Sequence, residues 1–263
     1  MNQLIRSSIC LALLLLSFLV FSDTTLSFST EQQKSDPFYT KPSNTNTLFN
    51  EESQDWLHSK TNKNITIYTR NHKSSNFNAF KAVAKIDQSI ESILAVISDP
   101  TSCPLWVDNC IESSNYINHQ QEKKQFNNRY GYALNHLPWP FKNRDIIVNI
   151  VTSNNPNTDE ITITMSSDKT LVSETDEAVH ITDSHAKYIL RPIKKNITEF
   201  VWIQHTEPAG KLPAWLVNSM IIDLPLNSIS KLQEVAKLKK YQDAMIEFDS
   251  QKQIQGLKLK LEN

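Results

Sequence analysis

Few residues in this chain have the types and spacings that perform acid–base or metal chemistry. His205 and Glu207 are two positions apart and share one face of a predicted strand, whereas the spacing of His180 and His185 places them on opposite faces of theirs. One histidine and one carboxylate do not form a metal site, which needs three or four protein ligands. We therefore expect surface or network roles for these histidines, with no metal site, no catalytic residue and no cofactor.

The glycines and the charge balance exclude two further classes of function. Only three glycines are present, at Gly131, Gly210 and Gly256, so the chain holds no glycine-rich loop of the kind that binds the phosphates of nucleotides. Lys and Arg number 27 against 28 Asp and Glu, so no general basic field indicates nucleic acid. The composition is that of a near-neutral globular protein with no nucleic-acid partner.

The first residues have the pattern of a signal peptide. Arg6 is followed by an uncharged apolar stretch over residues 9–21. This stretch has about 13 residues, against the roughly 20 that a membrane-spanning helix needs. We interpret residues 1–22 as a signal peptide, cleaved before Asp23 or as late as before Thr30; an uncleaved anchor is the alternative. Either way the protein is expected to be exported, to a periplasm or to the extracellular space.

Two cysteines remain after removal of that segment, Cys103 and Cys110. An even pair in an oxidising compartment predicts a disulfide. Two buried free thiols are the alternative interpretation.

The periodicity of the remaining chain predicts one domain of mixed secondary structure. A polar, flexible lead-in over 30–46 precedes a short helix at 48–59, and residues 90–97 form a helix capped by Asp87 or Ser89 and ending at Asp99-Pro100. The predicted strands are residues 65–68, 77–86, 112–119, 124–134, 145–152, 160–166, 178–190 and 199–207.

A long amphipathic helix should follow Pro213, because Trp215, Ile222, Leu226 and Ile229 recur at helical spacing. Pro225 inside it should kink or break the helix. We place the domain at 47–240 and a charged tail at 241–263.

Three short motifs lie at the ends of the predicted elements. Trp106 follows the Asp99-Pro100 helix end, residues 138–145 read Pro-Trp-Pro-Phe-Lys-Asn-Arg-Asp, and residues 210–218 read Gly-Lys-Leu-Pro-Ala-Trp-Leu-Val-Asn. Together they resemble the StAR-related lipid-transfer (START) family, in which a tryptophan follows the helix pair, a proline-rich loop leads into an Arg-Asp strand start, and a similar segment opens the last helix. The resemblance extends from about residue 55 to residue 237.

The resemblance implies an α+β helix-grip fold, in which a curved antiparallel sheet wraps around a long C-terminal helix with an internal apolar cavity. Such a cavity holds a sterol, a phospholipid or another apolar molecule. Some animal members carry a Glu and Arg pair inside it; counting along the motif places Ile150 at the arginine and Gly131 near the carboxylate. A sterol hydroxyl site of that kind is therefore not expected here.

Strand parity and helix phase nominate the ligand-contacting residues. The expected ligand contacts are Arg144, Ile146, Val148, Ile150, Trp202, Trp215 and Met220. The apolar ones are equally compatible with an ordinary packed core, and Arg144 could instead hold a structural hydrogen-bonded pair. Trp139 and Phe141 in the proline-rich loop are the expected membrane contacts, with a loop packed on the sheet as the alternative.

These features favour a monomeric protein that binds one lipid in an internal tunnel, contacts membranes transiently and is not an enzyme. The alternative is a helix-grip enzyme, a cyclase or hydrolase acting on a hydrophobic substrate. It would need a general acid or base in the cavity, where only Arg144 and His205 are candidates. A protein-interaction module, which would need a large exposed apolar patch, is a third possibility.

Overall fold

The structure is a computed structural model, and it describes residues 49–259 except 51, 118–124 and 172–176. The predicted signal peptide and lead-in lie outside the described residues. Residues Asn44–Asn263 group into one compact unit.

Within the described residues, ten strands form one large sheet. They are β1 Leu57–Asn62, β2 Ile65–Arg70, β3 Ala79–Ile86, β4 Cys110–Tyr116, β5 Asn128–Asn135, β6 Asn143–Asn155, β7 Glu160–Ser167, β8 Ala178–Ile181, β9 Asp183–Lys194 and β10 Ile197–Glu207. The order is β1-β2-β3-β10-β9-β7-β6-β5-β4 with antiparallel neighbours, and the short β8 pairs in parallel with β6. The sheet is open, with β1 and β4 at its edges.

Four helices accompany the sheet in the described part of the chain: α1 Ile90–Ser98, α2 Cys103–Trp106, α3 Ala214–Val235 and α4 Lys239–Gln242. The Ser89 hydroxyl caps α1 by accepting a hydrogen bond from the Ser92 amide at 3.2 Å. Asp99 and Pro100 end the helix at the predicted position. This arrangement confirms the α+β helix-grip fold.

The core lies between the inner face of the sheet and the helices α1 and α3. Ile93 and Leu94 of α1 pack with Phe200 of β10 and with Ile229 and Leu232 of α3, and all five side chains are fully buried. Burial of a side chain of this size stabilises the fold by about 1.5–3 kcal/mol. The C-terminal half of α3 is therefore firmly packed against the sheet.

Two elements predicted for the beginning and the middle of the domain differ from the observed ones. The helix predicted at 48–59 is wrong, because Leu57–Asn62 form the edge strand β1, held by pairing with β2. All six of its side chains are exposed, so no apolar pattern marks it in the sequence. The strand predicted at 178–190 is divided between β8 and β9.

The C-terminal part of the domain differs more from the prediction. One helix runs through Pro225, so the proline does not break it, and the other predicted effect, a kink, stays a prediction. The described part of the segment predicted as a charged tail holds the end of α4 and a hairpin of β11 Met245–Phe248 and β12 Ile254–Lys258. Tyr241 is buried and donates a 2.8 Å hydrogen bond to Asp99 Oδ2, and the Ile254 amide donates one to Asn154 Oδ1, also at 2.8 Å. These long-range contacts stabilise a segment that has no strong local pattern.

Among the helices formed by the described residues, none has the length and hydropathy needed to span a bilayer.

Candidate functional site

A cavity of about 330 Å³ lies between the inner face of the sheet and the first half of α3. The end of α1, α2 and the strands β4 and β5 complete its wall. Its volume is at the lower end of the range of about 300–1,000 Å³ that is typical of small-molecule sites. The cavity is therefore large enough for a compact ligand or for part of a longer chain.

One wall of the cavity is strand β6. Arg144, Ile146, Val148 and Ile150 all line it, on the face that strand parity predicts. Ile147 points to the opposite face and is only 1% exposed there. The four residues are thus brought together as expected, and their contact with a ligand stays a prediction.

The facing wall is the first half of α3, where Val217, Met220 and Leu224 line the cavity at helical spacing. Met220 is therefore placed as predicted. Trp215 is not: its side chain is 74% exposed and does not line the cavity. At about 100° per residue, Trp215 lies roughly 200° around the helix from Val217. We correct the expectation that Trp215 contacts the ligand.

Aromatic side chains form the floor of the cavity. Trp202 of β10 packs edge-to-face with Phe80, Tyr188 and Trp106, at ring-centroid distances of 5.2, 5.3 and 6.0 Å. Its indole N–H donates to Gln204 Oε1 at 2.9 Å, so the polar atom is satisfied. Burial raises the pKa of the Tyr188 phenol, which keeps it neutral. Sequence reasoning named Trp202 alone, although the alternation of β9 could have found Tyr188.

Arg144 fastens the loop that leads into α3. Its Nε donates to the carbonyl of Pro208 at 2.6 Å, its Nη2 to that of Ala209 at 3.0 Å, and its Nη1 to that of Lys142 at 2.5 Å. Ala209 and Gly210 both have positive φ. A Cβ atom on Gly210 would lie 3.3 Å from Arg144 Nη2, so the missing side chain lets the guanidinium approach closely. These contacts agree with the structural alternative for Arg144.

A second arginine, Arg129 of β5, also lines the cavity and was missed by sequence reasoning. Its side chain is only 8% exposed. Burial lowers the pKa of its guanidinium from the ordinary value. An arginine two positions before Gly131 on the same strand has the parity that could have identified it.

The proline-rich loop between β5 and β6 is at the surface. Trp139 is 91% exposed and Phe141 is half-buried. The peptide bond between Trp139 and Pro140 is cis. The alternative in which Trp139 packs on the sheet does not hold, whereas membrane contact by Trp139 and Phe141 stays a prediction.

Cys103 and Cys110 are joined by a disulfide in the structure, with their Cα atoms 5.9 Å apart. The bond links the start of α2 to the start of β4. It therefore fixes the segment that carries Trp106.

A histidine cluster lies outside the cavity. His205 stacks on His72 with ring centroids 4.0 Å apart, and one ligand-type atom from each of His72, His205 and Glu207 lies within 4.8 Å of the others. His205 and Glu207, predicted only to share a strand face, form a hydrogen bond of 3.0 Å, and the contribution of His72 was not foreseen. Burial and the nearby His72 lower the pKa of His205. That no metal binds here stays a prediction.

An open antiparallel sheet closed by a long helix over an apolar cavity defines a helix-grip protein. The START domain family matches residues 44–238, and the chain belongs to that family. The family is one of lipid-binding domains, and the cavity described above is of the corresponding apolar kind.

Known proteins resemble this chain in sequence or in fold. An uncharacterized protein of Pseudomonas aeruginosa is 24% identical over 185 residues, which cover 70% of this chain and 88% of that protein. The structure of a STAR-related lipid transfer protein from Xanthomonas axonopodis matches with a TM-score of 0.62 and 20% identity, over 70% of this chain and 99% of the other. Human StAR-related lipid transfer protein 5 matches with a TM-score of 0.64 and 13% identity, over 73% and 91%.

Proposed function

We propose that this protein binds one lipid-like molecule in the cavity and carries it through an aqueous compartment outside the cytoplasm. The observation that carries the proposal is the cavity itself, whose facing walls are apolar: Ile146, Val148 and Ile150 on β6, and Met220 and Leu224 on α3. Removal of apolar ligand surface from water there is favourable by about 25 cal/mol for each Å².

Two exposed tryptophans support transient contact with a membrane. Trp139 and Trp215 lie in the two segments that Arg144 joins, since its guanidinium contacts Lys142 in one and Ala209 before the other. Indole side chains are favoured at membrane–water interfaces. We propose that both segments meet the membrane when ligand enters or leaves.

Export is supported by the uncharged segment at residues 9–21 and by the disulfide, since disulfides persist in oxidising compartments. Fractionation of the source cells would place the protein, and the N-terminal mass of the exported form would identify the cleavage site. Recovery of the full-length chain from the cytoplasm would contradict export.

The ionisable groups around the cavity support binding rather than catalysis. Among the described residues the charged ones that line it are Asp99, Arg129 and Arg144. His205 lies on the face of β10 opposite Trp202 and does not line the cavity. A general acid or base must lie within hydrogen-bond reach of its substrate, and Asp99 is already held by Lys240 and Tyr241. We also propose that the protein acts as a monomer.

Ligand recovery tests the proposal directly. The protein is stripped of lipid by reversed-phase chromatography, refolded, incubated with a total lipid extract and measured by native mass spectrometry. We expect one bound molecule per chain, released on denaturation and identified by its mass. Repeated recovery of empty, folded protein would contradict the proposal.

A further inference from the structure

Arg129 is a buried cation in the wall of the cavity. It lies on β5 directly opposite Ile150 of β6, on the face that also presents Gly131 and Ala133 to the cavity. Arg144 lies six residues from Ile150 along β6, and six residues of strand are about 20 Å long. Arg129 and Arg144 thus mark separate ends of the cavity.

The partners of Arg129 leave most of its hydrogen-bonding capacity unused. Its Nη1 donates to the Phe126 carbonyl at 2.5 Å and, at 3.5 Å, to the Thr152 hydroxyl. The guanidinium carbon also lies 5.2 Å from the centre of the Phe126 ring. An arginine has five N–H donors in a planar fork suited to carboxylate and phosphate. Both hydrogen bonds come from one nitrogen, so the other two nitrogens retain donors.

No carboxylate neutralises Arg129 within the described residues. Asp99 is the one acidic side chain among the cavity-lining residues that the structure describes, and it accepts hydrogen bonds from Lys240, Tyr241 and Thr101 instead. Arg144 is held by backbone carbonyls at its own end. A buried charge without a partner is costly, so a site of this kind gains from a ligand that supplies the opposite charge.

We infer that Arg129 binds an anionic head group, so that the ligand is an amphiphile with a carboxylate or phosphate head at Arg129 and an apolar body along β6 and α3. The apolar body then lies against Val148 and Ile150, and the head lies away from Arg144 and the exposed Trp139 loop. This inference rests on the proposed function and adds the chemical class of the ligand.

Two pairs of probes isolate the charge of the head. Oleic acid is compared with oleyl alcohol, and oleoyl lysophosphatidic acid with monoolein, each as a competitor of a fluorescent lipid at pH 8 and below its critical micelle concentration. A hydrogen-bonded ion pair in a buried site corresponds to a preference of about tenfold or more for the charged member. The pair that shows this preference distinguishes a carboxylate from a phosphate head.

Variants then assign the preference to Arg129. Arg129→Met should bring the ratio of the affinities for the charged and the neutral member of each pair close to one, because the variant keeps a side chain of similar length but has no charge. Arg191→Met is the matched control, since Arg191 contacts Glu160 and Glu199 and does not line the cavity. It should keep the full preference. The melting temperature of each variant reports whether it is folded.

The outcomes separate the two proposals. Equal affinity for charged and neutral probes in the wild-type protein overturns the inference and leaves lipid binding intact, and this comparison needs no variant. Retention of the full preference in folded Arg129→Met also overturns it. Failure of the wild-type protein to bind any of the four probes or any extracted lipid contradicts the proposed function itself.

Discussion

The Cδ1 atom of Ile150 lies 3.0 Å from the position that a Cβ atom on Gly131 would occupy. These are the two positions that the sequence motif matches to the charged pair of some family members. The absence of a side chain at Gly131 leaves room for the end of the Ile150 side chain, so apolar groups occupy the positions of the charged pair.

Gly131→Ala tests this contact. The added methyl group must push the end of Ile150 by a few tenths of an ångström, and we expect a loss of stability of about 1 kcal/mol, the low end for overpacking, since Cδ1 is a flexible chain end. Urea denaturation measures the change. Ile150→Val removes the clashing atom, so it should cost less in the Gly131→Ala background than in the wild type. Equal costs in both backgrounds would contradict the contact.

Bulky substitutions on β6 test the cavity wall. Val148→Trp or Ile150→Trp should reduce lipid uptake at least tenfold with little loss of stability, because the ring enters space that the ligand needs. Val151→Trp is the matched control, since Val151 is 41% exposed and faces the other way. Ile147→Trp is a poor control because that residue is tightly buried and would be overpacked. Normal uptake by both wall variants would show that no ligand lies there.

Trp139→Ala tests membrane contact. The side chain makes little contact with the rest of the protein, so the free energy of unfolding should change by less than about 0.5 kcal/mol. Co-sedimentation with phosphatidylcholine vesicles should weaken severalfold, and Trp139→Phe should keep part of the binding. A large fall in melting temperature would instead reveal a packing role.

The disulfide gives a prediction for the exported protein. Unreduced protein treated with an alkylating reagent should show no free thiol at Cys103 or Cys110 by intact mass. Replacement of both by alanine should lower stability by roughly 2 kcal/mol, the value for closing a short loop. Two alkylated thiols in the unreduced protein would exclude the bond.

The hydrogen bonds of Asp99 with Lys240 and Tyr241 link the end of α1 to α4, and we expect this link to be sensitive to acid. Burial tends to raise its pKa, but hydrogen bonds from Thr101, Tyr241 and Lys240 outweigh it and lower the pKa from the ordinary 3.8. A carboxyl group whose pKa is lower in the folded state than in the unfolded state stabilises the protein at pH values above its unfolded-state pKa. This stabilisation is lost as the pH falls through its folded-state pKa. Asp99→Asn should therefore be less stable than the wild type at pH 7. This difference should shrink below about pH 4, where Asp99 begins to protonate in the unfolded chain. A constant difference down to pH 2 would contradict the assignment.

The sequence predicts best where one local pattern decides the structure. Alternation along residues 144–150 identifies the cavity face of β6, and the cap of α1 is identified as one of two candidates, of which Ser89 is the observed one. Both features depend on neighbours within a few residues. The motif order then supplies the helix-grip topology that joins them.

Features set by distant contacts were missed. Strand β1 is defined by its pairing with β2, and the C-terminal hairpin by contacts of Tyr241 with Asp99 and of Ile254 with Asn154. The helical phase of Trp215 could be counted from the sequence, but its high exposure at the start of α3 could not. Arg129 has a parity that the sequence shows, but that no described acidic side chain pairs with it across the cavity is visible only in the fold.

Pro225 divides α3 into two halves that are held very differently. The half before it faces the cavity through Val217, Met220 and Leu224, whereas Leu226 and the residues after it are packed into the core. Proline has no amide to donate to the carbonyl four residues earlier, so a backbone hydrogen bond is missing at the junction. Ile221 and Leu224 of the first half also touch the core, but they are only partly buried. We expect ligand residence time to depend more on the contacts of that half than on the unfolding rate of the domain.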